Sequence, residues 1–181
     1  MPRAWWNRTA LSVAAAFAAA PALAGEPSEL ACPVAALSAG DKAAITAMLI
    51  TRTGDLAATR RAGDEAVSSC GARFEWNERE ADAAKGYMAA SLMQAHHRAT
   101  LAAAGIDVEA LERDVAADDQ LVAAAAMAVQ GLPPEAERLL VRRLTALAVR
   151  HRISAALGEA LGAFVFSTSF LVSEGRRFAT P

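Results

Sequence analysis

Alanine occupies 48 of the 181 positions, and no other feature limits the folding choices of this chain so strongly. It is the best helix former and brings no side chain that reaches across a core. It supplies about half of the 54% apolar content, and aromatic residues are only 6%, so large apolar side chains are scarce. The expectation is a helical domain whose small faces let helices approach closely. The length fits one domain. Collagen-like, disulfide-dense and charge-rich disordered classes are excluded. With 18 basic and 20 acidic residues, nothing favours a polyanion partner.

Residues 1–24 read as a cleaved signal peptide. Arg3 and Arg8 form a positive start, Ala10 to Ala20 is apolar apart from Ser12, and Ala22-Leu23-Ala24 offers small residues at both positions a signal peptidase reads. No Arg-Arg pair indicates a twin-arginine route. Cleavage would leave 16 bases against 20 acids, a net charge of −4, and Trp76 as the sole tryptophan. Cys32 does not fit a lipid-modified cysteine, because Glu29 stands where an aliphatic residue belongs.

Cys32 and Cys70 are the only cysteines. In an exported chain an even pair predicts a disulfide. No histidine lies within 25 residues of either, and no Cys-x-x-Cys occurs, so a catalytic thiol or zinc knuckle has no support.

Along the mature chain, Pro27 and Pro33 predict an extended arm over 25–40. Ser38-Ala39-Gly40-Asp41 is a capping pattern that opens helices near 41–52 and 55–70, or one bent helix. Asn77-Glu78-Arg79-Glu80 caps a helix from 78 to Ala104, stopped by Gly105. Its inner stripe is read as Ala81, Ala84, Met88, Ser91, Leu92, Ala95 and Ala99. Asp107 caps the next helix, with Ile106 stapled onto Leu111; it runs toward Val129 and Gly131, and Ala117-Asp118-Asp119 is a candidate break. Pro133-Pro134 starts a final helix that carries Leu140, Leu144, Leu147, His151, Leu161 and Val165 and stops at Gly175. Residues 176–181 read as a loose tail. The fold class is therefore all-α: an antiparallel bundle of four or five helices over 41–175, with one disulfide.

Charge is unevenly placed. Residues 107–119 hold six acids and one base, whereas 138–152 hold Arg138, Arg142, Arg143, Arg150 and Arg152 with no acid. Antiparallel packing of these segments would pair them across a groove. Nucleic acid is not expected, since no aromatics interleave with the arginines. His96 and His97 are adjacent and cannot chelate from one helix face. A site could arise only if His96 met His151, with Met88, Met93 or an acid completing it; no metal is assigned. Enzyme motifs are absent: no Gly-x-Ser-x-Gly, His-Glu-x-x-His, Walker loop or Gly-x-Gly-x-x-Gly occurs. No cofactor is implied, and c-type haem is removed by the lack of Cys-x-x-Cys-His.

Residues 153–172 hold one charge, Glu159, and a Gly158-x-x-x-Gly162 motif. A membrane span is the weaker reading, because Glu159 has no wet side in a bilayer. A core helix whose glycines admit a neighbour is preferred. The sequence thus points to a periplasmic or secreted binding or structural module with no catalytic site, whose partner is an envelope protein or a small ligand. The second reading is a ligand- or metal-binding bundle using His96, His151, Arg142, Arg143 and Arg150. A single-span envelope protein anchored by 153–172 and an unrecognised hydrolase follow.

Overall fold

The computed structural model describes residues 26–127 and 131–180. The predicted signal peptide, Val129 and Pro181 lie outside these residues. Helices begin where side chains capture the first free backbone amides. A 3₁₀ turn at Pro27–Ala31 runs into α1 (Cys32–Ala36). The arm is therefore helical, not extended. Its prolines occupy first turns, where a missing N–H removes no helical hydrogen bond. The Asp41 amide donates to Ser38 Oγ (3.1 Å) to open α2 (Ala39–Thr51). Asp55 accepts from the Ala57 and Ala58 amides at the start of α3 (Leu56–Phe74), so 41–70 is two helices. Asn77 and Glu80 form the expected reciprocal cap of α4 (Glu78–Ala103).

The second half divides more finely than its sequence predicts. Asp107 caps α5 (Val108–Ala116), and the chain breaks at Ala117-Asp118 before α6 (Asp119–Met127). The expected final helix is α7 (Pro134–Arg150), a 3₁₀ turn at Ala155–Leu157 and α8 (Gly158–Phe178). Arg152 ends α7 in the left-handed region (φ 54°). The Ile153 amide then reaches back to the Ala148 carbonyl (2.8 Å), and buried Ile153 anchors the turn. Glu75 and Gly105 end α3 and α4 with the same six-to-one hydrogen bond, from Trp76 to Gly71 and from Ile106 to Leu101. Gly175 is not a stop either: α8 continues through the supposed tail, and Phe178 is fully buried. Eight helices and no strand are present among the described residues.

The architecture is organised by α4. Its largest interface is with α8, and the two run antiparallel: Gly86 meets Glu174, Gln94 bonds Thr168, and Ala83 and Ala84 cluster with Phe178. Leu101, Leu111, Val115, Leu121, Leu161, Phe164 and Val165 form one core with α5 to α8. On another side of α4, Met88 and Leu92 join Leu37, Ile45, Ala66 and Val67 of the first three helices. The Cys32–Cys70 disulfide, with a Cα separation of 6.1 Å, ties α1 to α3 in this half. Trp76 closes the third cluster, donating to Glu29 (2.8 Å) and meeting Phe178 edge-on at 5.4 Å.

The segment Ala155–Phe178 is long and apolar enough to cross a membrane. Here Leu161, Phe164, Val165 and Phe178 are buried by the bundle, Leu157, Phe166, Phe170, Leu171 and Val172 are half-buried, and Glu159 is exposed. The Gly158-x-x-x-Gly162 motif does not admit a neighbour, because a Cβ added at either glycine would meet nothing within 4 Å. The tight approach is at Gly86, where a Cβ would lie 3.1 Å from Glu174 Cγ.

The two glycines should therefore respond oppositely to substitution. Gly162→Ala should raise stability by about 0.5–1 kcal/mol by removing a helix-interior glycine. Gly86→Val should lower it by about 1–3 kcal/mol through overpacking. Urea midpoints of the two variants decide this. Replacing Cys32 and Cys70 together by serine should cost about 3–4 kcal/mol in the same assay, from the 38-residue separation. Thiol labelling of the unreduced protein should find no reactive cysteine.

Candidate functional site

The acidic segment and the arginine segment meet as the sequence implies. Arg150 and His151 both reach Asp114 Oδ2 at 2.9 Å, and Arg143 reaches Asp118 (3.3 Å) and Gln120 (2.8 Å). Arg98 of α4 clasps Glu109 and Glu112, and Arg176 of α8 reaches Asp119. With Asp107 serving as a cap, every acid of 107–119 is engaged. Arg150 and His151 hold the Asp114 carboxyl below the usual carboxylate range. This lattice aligns α4, α5, α7 and α8; mostly half-exposed, it adds orientation more than stability.

The structure separates the two histidines proposed to share a site. His151 is fixed to Asp114 at the end of α7. His96 is exposed on α4 and lines a groove against α2. Met88 is 7% exposed beneath Gly63 of α3, away from both pairings. Arg142 lies exposed on the outer face of α7 with Arg138 and Val141. No group of three His, Cys, Asp or Glu side chains among the described residues is arranged to hold a metal ion.

His97, not His96, enters the bundle. It is nine-tenths buried, and that burial, with His96 beside it, lowers its basicity below the ordinary imidazole value despite Glu159. Residues 83, 86, 90, 94, 97 and 101 follow spacings of three or four, which is a second helical seam. Ala83, Gly86, Ala90, Gln94, His97 and Leu101 occupy it. The expected stripe through Met88 and Leu92 is real, but it faces the first three helices. A seam of Ala and Gly gives no contrast in so alanine-rich a chain, so only its spacing could have signalled it.

The seam's partner, α8, buries Ser167, Thr168, Ser169 and Glu174. Ser167 returns its hydrogen bond to the Ala163 carbonyl (2.8 Å), and Gln94 donates to Thr168 (3.0 Å). Burial raises the Glu174 pKa, opposed by Arg177 at 3.4 Å.

An apolar concavity lies elsewhere. A groove of about 600 Å³ lies between α2 and α4, lined by Ala43, Thr46, Ala47, Ile50, Leu92 and Ala95, with Thr51, Lys42 and His96. Small alanines on both helices leave the space open, and Ile50 and Leu92 give it apolar walls. No acid lines it. Another groove, about 390 Å³ against α3, instead mixes Asp41, Arg61 and Glu65. Comparison with protein-family models, curated proteins and solved structures gives no match.

A buried neutral imidazole makes stability fall on acidification. The unfolded chain takes up its proton near the ordinary value of 6.5, while folded His97 resists until lower pH. The urea midpoint should therefore drop as pH falls below about 6.5, and His97→Gln should flatten that limb. Glu174 acts with opposite sign: its raised value favours the fold as pH falls toward 4.5, so the difference between variant and parent is the measurement.

Proposed function

We propose that this chain is an exported helical binding module, periplasmic or secreted, whose binding surface is the groove between α2 and α4. The groove carries the reading. Its volume lies in the range of ligand sites, its lining is apolar with few polar groups, and both helices that form it are held from behind by packed cores. Export is supported by the signal-like pattern of residues 1–24 and by a disulfide of the kind an oxidising compartment permits. The arginine segment serves architecture, since Arg143 and Arg150 are committed to Asp118 and Asp114. No catalytic residue or cofactor is assigned.

The test is occupancy by a neutral apolar dye. Nile red should brighten on binding the mature protein, and Ala95→Trp, which fills the groove, should abolish the signal while leaving the circular dichroism spectrum and the urea midpoint close to the parent's. An equal signal in parent and variant would remove the groove from consideration. N-terminal sequencing of the exported protein should begin at Gly25; recovery with Met1 intact would overturn the export reading.

A further inference from the structure

The chemistry of the groove goes beyond its being apolar. Its lining includes two nitrogen bases, Lys42 and His96, and two hydroxyls, Thr46 and Thr51, but no carboxylate. This is notable in a chain whose acids outnumber its bases. The nearby grooves show the contrast: the one against α3 is lined by Asp41 and Glu65, and the small cavity between α2 and α3 by Asp41 and Asp55. No described ion pair or side-chain hydrogen bond occupies Lys42, whereas Lys85 is paired with Asp64 at 3.2 Å.

Along α2 the lining runs from Lys42 to Thr51, about 14 Å at the rise of an α-helix. Ala43, Ala47 and Ala95 contribute small side chains to it. A flat aromatic ligand would find no aromatic ring other than the His96 imidazole among the lining residues. A flexible alkyl chain matches the length and the apolar walls, and an anionic head matches the basic groups.

Resting on the groove as the binding surface, we infer that its ligand is a single-chain anionic amphiphile, a long-chain carboxylate. The chain lies along α2 between Ile50 and Leu92. The carboxylate is held by Lys42. The hydrophobic contact supplies affinity and the cation supplies selection for charge.

Calorimetric titration of the mature protein with laurate and with dodecanol, both below the concentration at which they aggregate, tests this. Laurate should bind at one-to-one stoichiometry and roughly fivefold or more tighter than dodecanol, the scale of one charge-assisted hydrogen bond at a partly wet site. Lys42→Gln should bring the two within about twofold of each other by weakening laurate alone, since it removes the cation and leaves the channel. Lys42 belongs to none of the three apolar clusters, so this variant should keep the parent's urea midpoint. Lauroyl lysophosphatidylcholine distinguishes a carboxylate from a zwitterionic lipid headgroup and should bind no better than dodecanol. Equal binding of laurate and dodecanol, or preference for the lysophospholipid, would overturn the assignment while leaving the groove in place. Loss of Nile red binding as well would remove the groove itself.

Discussion

The seam between α4 and α8 is the contact on which the rest of the molecule depends. On α4 it presents Ala83, Gly86 and Ala90, none larger than a methyl group. That permits the approach seen at Gly86, where Glu174 lies within van der Waals reach of the glycine. Close approach brings partly polar side chains of α8 into the interior, so their hydrogen bonds must be met locally. Ser167 does so through its own helix and Thr168 through Gln94. Ser169 Oγ is the one buried side-chain polar atom without a partner among the described residues. The seam therefore joins small groups and a few internal hydrogen bonds along its middle to large apolar contacts at its ends, Leu101 with Leu161 and Phe164 at one and Phe178 at the other.

With α4 held on that side, its other faces become available as walls. The first three helices pack on Met88 and Leu92, and the disulfide fixes α1 to α3. The same arrangement leaves α2 leaning on α4 beyond Leu92, where three alanines, two threonines and Ile50 leave the angle partly open. The groove is thus a by-product of alanine where a larger residue would have closed the space. The charged lattice contributes in a different way. Arg98, Arg143, Arg150 and Arg176 each reach an acid of the 107–119 segment, which selects one arrangement of α5 and α6 against their neighbours.

Much of this was legible in the sequence where local chemistry decides. The caps at Ser38, Asn77 and Asp107 set three helix starts, Gly105 set one stop, and the cysteine pair predicted its own bond. The misses have a common origin. Arg152 and Glu75 adopt the left-handed conformation that a glycine normally marks, so the break after α7 carried no warning. Gly175 points to a loose tail at Phe178, yet burial against Trp76 outweighs the glycine. The site was less legible still. His96 and His151 each lie on or beside an apolar stripe, which left their meeting conditional on helix placement; His151 is bound to Asp114 and His96 faces the α2 groove. The groove depends on where α2 leans, which no spacing within one helix encodes.

The distance along the chain between the two sides of the seam bears on how the fold is assembled. Gln94 and Thr168 are 74 residues apart, and Arg79 bonds the Thr180 carbonyl across 101. The disulfide, by contrast, closes over 38. A chain emerging from its N-terminus can thus complete its first three helices and lock them while the alanine face of α4 is still bare. That face stays wet until α8 arrives, while α5 meets α4 through Arg98 and α7 meets α5 through Asp114. Assembly is in this sense two-stage: an early covalently closed half, then a late closure in which the last helix supplies the missing wall for everything made before it.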